Sequence, residues 1–276
     1  MNWKIIWAIA RKDWKEVRQN PSAWVPMLVI PLIFMVIFPL AMILAATNVP
    51  GMASSAFTDP DLATFMERMP DFMRSAIAGL NPTQAGIVLM LGYIFAPFFL
   101  IIPLMFTTVI ASESFAGEYE RKTIEALLYT AASDTELFLG KVMAAVIPAI
   151  AITLGSFVLY TCVVNGAAYP VMNRIWFPLP SWYPLIFWIS PAISLAGVSA
   201  TVLISARIKT FMGTYQASAS TVLLVVGLLV GQISGALYLS VGVSLAIGAV
   251  VWLIGAVLTY YAVRTFNRQK LLAPAA

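Results

Sequence analysis

The sequence has 276 residues, of which 61% are hydrophobic and only 10% are charged, and its net charge is +4. Soluble domains carry about 25% charged residues, so this composition excludes an ordinary soluble domain and is typical of a protein that spans a membrane several times. The sequence contains no histidine, which excludes a histidine-ligated zinc protease. It contains only one cysteine, which excludes an internal disulfide.

Residues 1–20 predict an amphipathic helix. Its apolar residues recur at three- and four-residue spacing, with the charged residues opposite to them. These apolar residues are Trp3, Ile6, Trp7, Ala10, Trp14 and Val17. The pattern favours a helix that lies in the membrane interface, although a simple tether stays an alternative.

Six apolar runs are each long enough to cross a bilayer, which takes about 20 mostly apolar residues. They cover residues 24–46, 85–111, 142–164, 183–206, 215–236 and 241–263. The last two share one uncharged block, so the sequence leaves their boundary open. The predicted fold class is an all-α integral membrane protein, with one transmembrane domain over residues 1–276.

The basic residues predict that both termini are cytoplasmic, because cytoplasmic loops carry an excess of Lys and Arg. This orientation places 13 of the 16 basic residues inside and only Arg68, Arg74 and Arg174 outside. Residues 47–84 then form an extracytoplasmic segment. Residues 165–182, rich in proline and aromatic residues, predict an aromatic belt at the same interface. The positive charge therefore indicates topology rather than nucleic-acid binding.

The acidic residues give no sign of an ion path through the bilayer. All twelve are expected in aqueous segments, and none follows Glu136. This argues against a proton-coupled carrier, whereas sodium coupling through carbonyl and hydroxyl groups stays open. The sequence also lacks a G-x-S-x-G motif and a G-x-x-x-x-G-K-[ST] loop, so neither a catalytic serine of that kind nor a phosphate loop is predicted.

The polar segment 112–141 joins the second and third apolar runs and holds six of the twelve acidic residues. Ser133 and Glu136 form a capping-box pattern, which predicts a helix that begins at Ser133 and continues into the third run. Residues 119–129 are rich in helix formers, so a short helix is expected there too. The two helices would form a charged cytoplasmic hairpin, which is either a docking handle or a solvated connector.

This segment resembles the signature of permease subunits of ABC-2 type exporters. The matching residues are Glu118, Glu120, Arg121, Thr123, Glu125, Leu127, Leu128, Glu136, Gly140 and Lys141. Two residues depart from the pattern, since Lys122 stands where these proteins often have glycine and Ala131 where they often have proline. The N-terminal R-K-D-W-K-E-V-R-Q-N-P resembles the elbow helix of the same family, and the resemblance covers nearly the whole chain.

The resemblance implies that residues 118–130 form a coupling helix that docks on separate cytoplasmic ABC ATPase subunits. The expected coupling interface comprises Glu118, Glu120, Arg121, Thr123, Glu125, Leu127, Leu128, Glu136 and Lys141. ATP and magnesium would bind in the ATPase, and this chain would hold no cofactor or metal of its own. Its location would be the plasma membrane of a bacterium or archaeon.

The fifth apolar run contains three glycines at four-residue spacing, Gly227, Gly231 and Gly235. Small residues in such a stripe let two helices approach closely. The resemblance implies two permease copies, identical or related. The stripe is therefore expected either at the seam between copies or in packing within one copy.

The predicted function is that of the permease subunit of an ATP-driven exporter. Its path, lined by apolar and hydroxyl side chains of spans one, two and five, favours an amphipathic or lipophilic substrate such as a drug, a peptide antibiotic or a lipid-like molecule. The alternatives are an ATP-independent ion-coupled carrier or channel, a sodium-exporting permease of the same family, and a membrane scaffold without a substrate.

Overall fold

The structure is a computed structural model that describes residues 1–49, 67–123, 130 and 132–265. All regular elements in these residues are helices, and six of them are long and apolar enough to cross a membrane. These candidate spans, numbered one to six below, are Met27–Asn48, Pro82–Glu120, Asp134–Met172, Trp182–Ser205, Phe211–Ile233 and Val241–Thr265. The predicted all-α membrane fold with six spans is confirmed.

Helix α1 (Trp3–Gln19) precedes span one, and several spans are built from shorter helical pieces. In chain order the pieces after α1 are Pro21–Leu32, Ile33–Ile37, Phe38–Asn48, Asp71–Ile77, Pro82–Ile87, Val88–Ile94, Ala96–Leu100, Ile101–Ala111, Ser112–Gly117, Glu118–Glu120, Asp134–Met172, Trp182–Pro184, Leu185–Ile189, Ser190–Ser205, Phe211–Ala219, Val222–Ile233 and Val241–Thr265. Four of them, which begin at residues 33, 88, 112 and 185, are π-helical, and the piece that begins at residue 96 is a 3₁₀-helix.

Helix α1 packs against the first part of span three. Gly140 permits a close approach, because a Cβ atom there would lie 2.8 Å from the Cβ of Ile9 and 3.1 Å from the carbonyl oxygen of Ile6. The indole N–H of Trp14 donates to the carbonyl of Ala144 at 2.7 Å. The buried residues of α1 are Ile6, Ile9, Ala10, Asp13 and Val17. One side of the predicted amphipathic helix therefore faces protein, and its location in the membrane interface stays a prediction.

Span two lies at the centre of the bundle, since 78% of its most apolar stretch is buried, against 17% for spans five and six. Its helix is irregular around Pro97, which has no N–H to offer the carbonyl of Tyr93 four residues earlier. The side-chain amide of the buried Gln232 donates to this carbonyl at 2.6 Å. A neighbouring span thus supplies the hydrogen bond that proline removes, as a membrane interior requires.

Phe177 in the loop after span three and Trp182 at the start of span four are buried in the bundle, which corrects the expected aromatic belt for Trp182. Trp182 is fully buried, and its indole N–H donates to the carbonyl of Gly92 at 2.6 Å. The hydroxyl of Tyr160 donates to the carbonyl of Leu91 at 2.7 Å. Both carbonyls lie in the π-helical part of span two, so these aromatic residues act as internal hydrogen-bond donors. Their rings pack with those of Phe99, Phe157 and Phe177.

The helices of spans two and three extend beyond the apolar runs that predicted them. Span two continues to Glu120 instead of residue 111, and span three runs from Asp134 to Met172 instead of 142–164. Residues 112–118 in the added polar turns of span two are buried, and the carboxylate of Glu118 there accepts hydrogen bonds from Lys12 on α1 and Lys141 on span three. The predicted helix over residues 119–129 differs at its start, where span two ends and Lys122 adopts a φ of 57°. Its residues 124–129 lie outside the described ranges.

The glycines of span five do not form one continuous helical stripe. The helix ends at Ile233, and Gly235 follows it with a φ of 74°, a conformation that favours glycine. A Cβ atom on Gly227 would meet no described atom within 4 Å, and one on Gly231 would meet only Leu237, at 3.5 Å. The described residues therefore provide no packing partner for Gly227 within this chain, and its place at a seam between copies stays a prediction.

Candidate functional site

Charged side chains from α1, the end of span two and the start of span three meet at one end of the bundle. The fully buried ammonium of Lys141 lies 2.6 Å from the carboxylate of Glu118 and 3.7 Å from that of Asp13. It also donates to the carbonyl of Ser114. We call this group the charged cluster; its members are Lys12, Asp13, Glu16, Glu113, Glu118, Arg121 and Lys141.

Lys12 connects α1 to the same carboxylate that pairs with Lys141. Its ammonium pairs with Glu118 and lies 3.2 Å from the carboxylates of both Asp13 and Glu16. Because Glu118 accepts hydrogen bonds from two lysines, one buried carboxylate joins three helices.

The electrostatics of Lys12 keep this connection charged. Burial alone would lower the pKa of Lys12, but the attraction of Asp13 and Glu118 outweighs burial and raises the pKa above its usual value. A raised lysine pKa stabilises the folded state below the unfolded pKa, and this stabilisation is lost as the pH rises through the folded pKa. The ion pairs of Lys12 are therefore present at neutral pH, and deprotonation of Lys12 breaks them in strongly alkaline solution.

A second ion pair, between Arg121 and Glu113, lies at the end of span two. The guanidinium of Arg121 lies 2.6 Å from the carboxylate of the buried Glu113 and 3.8 Å from that of Glu16 on α1. Gly117 makes room for this pair, because a Cβ atom there would lie 3.2 Å from a Glu113 carboxylate oxygen and 3.3 Å from the Arg121 guanidinium. The pair thus offsets part of the desolvation cost of Glu113 and adds a second link to α1.

Glu136 caps the helix of span three, and the predicted capping box is confirmed. The Glu136 carboxylate accepts from the backbone N–H of Ser133 at 3.0 Å, while the Ser133 hydroxyl accepts from the N–H of Glu136 at 3.3 Å. The same carboxylate accepts from the backbone N–H of Asn2, just before α1. The cap therefore also fixes the start of α1.

The end of span two also holds the start of span five. The carboxylate of Glu120 accepts from the backbone N–H of Phe211 at 2.8 Å, at the first residue of span five. The ammonium of Lys209 donates to the hydroxyl of Tyr119 at 2.9 Å and lies 4.4 Å from the centre of its ring. Four helices are consequently linked at this end of the bundle.

The residues expected at a coupling interface fall into three groups. Glu118 and Lys141 are buried and pair with each other, and Glu136 is a buried helix cap. Three further residues are exposed: Glu120, which ends span two, and Arg121 and Thr123 in the turn that follows it. The remaining residues, Glu125, Leu127 and Leu128, lie outside the described ranges. For all of them, contact with an ATPase stays a prediction.

Sequence reasoning expected every carboxylate in an aqueous segment, and it did not identify four members of the charged cluster as site residues, namely Lys12, Asp13, Glu16 and Glu113. The signal for Asp13 was present, because it shares the buried face of α1 with Ile6, Ala10 and Val17. For Glu113 the signal was its position near the end of the second apolar run, two residues after residue 111.

The carboxylates of Asp13, Glu16 and Glu118 lie close enough together to surround a cation. The ammonium groups of Lys12 and Lys141 already lie among them, so the carboxylates neutralise lysines rather than form a metal site. The cluster contains no arrangement of nucleophile and base. What it can do is mechanical, because its ion pairs join the two ends of segment 112–141 to α1.

Comparison with known proteins agrees with this architecture. A protein-family model described as ABC-2 family transporter protein matches residues 7–250, which include most of α1, both ends of segment 112–141 and the first five spans. A search of curated proteins gave no match. Because the family model covers most of the sequence and the described residues contain six candidate spans, the chain belongs to the ABC-2 transporter family and is a membrane-spanning transport protein.

Proposed function

We propose that the chain is the permease subunit of an ATP-driven exporter, which works as a dimer with separate cytoplasmic ATPase subunits that bind ATP and magnesium. The observation that carries this proposal is the charged cluster. It joins both ends of segment 112–141 to α1, so a force on the segment moves spans two and three together with α1. An ATPase can shift the membrane part only through contacts that differ between its states, and such a rigid unit transmits that difference.

Within this proposal the members of the expected interface have different tasks. The surface that contacts the ATPase comprises Glu120, Arg121, Thr123, Glu125, Leu127 and Leu128. Glu118 and Lys141 support that surface from inside the bundle, because both are buried and paired.

The proposed substrate is amphipathic or lipophilic, such as a drug, a peptide antibiotic or a lipid-like molecule. In the described residues the buried charged side chains gather at the α1 end, and the interior between spans two, three and four is aromatic. A path along the apolar faces of spans one, two and five would offer little compensation to a strongly charged substrate.

A co-purification experiment tests the ATPase partnership. The tagged chain is purified in mild detergent from its own host, its companions are identified, and ATP hydrolysis is measured. Glu125→Arg is expected to abolish both the ATPase companion and the activity, because it reverses a charge in the proposed contact. Glu67→Arg is the matched control, since this exposed carboxylate lies before span two, at the other end of that helix from segment 112–141.

The control variant should keep the ATPase. A clean preparation of the unaltered chain without any nucleotide-binding companion would overturn the proposal. So would an ATPase companion that is retained in full by Glu125→Arg.

A further inference from the structure

Helix α1 carries its charges on two separate faces. The acidic residues Asp13 and Glu16 both belong to the charged cluster, where the ammonium of Lys12 lies 3.2 Å from each of their carboxylates. On the other face, Arg11, Lys15 and Arg18 are exposed and form no ion pair with any residue that the structure describes. The outer face therefore presents three uncompensated positive charges.

Two tryptophans give this outer face a defined shape. Trp7 is 49% exposed and stands edge-on to Trp14, with ring centres 5.2 Å apart. Trp14 is fixed by its hydrogen bond to the carbonyl of Ala144. Together with the basic residues they line an open recess of about 560 Å³, which we call the basic trough; its lining is Trp7, Arg11, Trp14, Lys15, Arg18 and Gln19.

The position of the trough suggests what it contacts. Helix α1 ends at Gln19, and the helix that leads into candidate span one begins at Pro21, so the trough precedes this span closely in the chain. Tryptophan is enriched at the level of the lipid headgroups, and basic residues near a membrane surface are attracted to anionic lipids. Guanidinium groups bind phosphate oxygens through paired hydrogen bonds.

We propose that the basic trough binds the headgroup phosphate of anionic phospholipids. The guanidinium groups of Arg11 and Arg18 and the ammonium of Lys15 supply the donors, and the Trp7 ring lies against the glycerol and upper acyl region. Because the opposite face of α1 is ion-paired to Glu118, a bound lipid also stabilises the docked position of α1 on the bundle.

The test measures lipid affinity of the purified full-length chain in neutral detergent micelles. The probes are phosphatidylglycerol, phosphatidylcholine and inorganic phosphate, each titrated while bound lipid or a shift in melting temperature is recorded. The unaltered chain is expected to prefer phosphatidylglycerol to phosphatidylcholine and to ignore inorganic phosphate. Each basic residue near a membrane surface contributes about fivefold in affinity, so Arg11→Gln/Lys15→Gln/Arg18→Gln should weaken phosphatidylglycerol binding roughly 100-fold.

The matched control removes the same amount of charge from exposed arginines elsewhere, as Arg174→Gln/Arg207→Gln/Arg264→Gln, and should keep most of the affinity. If the trough variant does not fold, Arg11→Lys/Arg18→Lys and a salt titration replace it. The lysine variant keeps the charge, so it should bind within about tenfold of the unaltered chain, and binding should fall with ionic strength.

Three outcomes would overturn the proposal. One is equal loss of lipid affinity in the trough variant and the control, and another is binding of inorganic phosphate as strong as that of the lipid. The third is a trough variant that keeps its lipid preference but loses a protein companion, which would mean that the trough is a protein contact.

Discussion

Glu118 is a carboxylate that water barely reaches, and it is tolerated because Lys12 and Lys141 both donate to it. Removing one partner of a buried ion pair costs on the order of 3–5 kcal/mol, whereas replacing both partners by apolar residues of similar size is often close to neutral. The charged cluster is therefore a source of specificity, in that it penalises any arrangement in which α1 and the two ends of segment 112–141 separate.

A double-mutant cycle tests this interdependence. Glu118→Met and Lys141→Met are each expected to lower stability by about 3–5 kcal/mol, because each leaves a buried charge without its main partner. The double variant should be more stable than the sum of the two single losses predicts. The measurement is the melting temperature of the purified chain, with the exposed Glu67→Met as a control. Strictly additive losses would contradict a direct pairing of these side chains.

The individual residues also show where sequence reasoning succeeds and where it stops. Ser133 and Glu136 were predicted correctly as a capping box, because both partners lie within one helical turn. Glu118 was recognised only as part of a motif, because its partner Lys12 lies 106 residues away in the sequence. A charge pattern along one helix does not reveal which distant helix will bury it.

At the scale of helices, the docking of α1 depends on the absence of a side chain at Gly140. Any Cβ atom there would approach the Cβ of Ile9 and the backbone carbonyl of Ile6, and the backbone cannot turn away as a flexible side chain would. The helix pair is thus held at a distance that only glycine permits.

Gly140→Ala is expected to destabilise the chain by about 1–3 kcal/mol, as overpacking at a tight contact does. Gly155→Ala lies in the same helix and meets no described atom within 4 Å, so it should be neutral or stabilise by up to about 1 kcal/mol through helix propensity. Thermal unfolding of both variants in detergent provides the comparison. Equal effects would show that α1 does not pack closely at Gly140.

The spans were predictable because a run of about 20 apolar residues has few other structures available to it. Their ends were not. The sequence indicated an aqueous connector over residues 112–120, yet these residues continue the helix of span two, and Glu118 among them pairs with Lys12 on α1 and Lys141 on span three. Sequence reasoning also assigned Trp182 to the membrane interface. It could not foresee that the buried indole N–H would donate to the carbonyl of Gly92, which lies in another span.

At the scale of the whole molecule, span five leaves a broad apolar face without a partner in the described chain. Leu223 and Leu224 are 70% and 74% exposed, and Gly227 lies one turn further along the same face. Lipid chains alone could cover this apolar face. In the proposed dimer the face would be buried between two copies, and Gly227 would let the copies approach closely.

Gly227→Leu is therefore expected to leave the fold of one copy intact and to weaken the dimer at least tenfold. Light scattering in detergent gives the mass of the complex, and the melting temperature reports on the fold. Gly242→Leu is the matched control, because Gly242 in span six also meets no described atom within 4 Å. A dimer that survives Gly227→Leu unchanged would place the seam elsewhere.

The distance in sequence between Lys12 and Glu118 has a consequence for biosynthesis. Ribosomes add about 5–20 residues per second, so α1 leaves the ribosome several seconds before its partner carboxylate exists, and Lys141 follows later still. During that interval the nascent chain lacks Glu118 and Lys141, so α1 cannot yet form its ion pairs with spans two and three. We expect stalled chains that end before span three to leave an introduced cysteine at position 10 open to labelling, and longer chains to protect it.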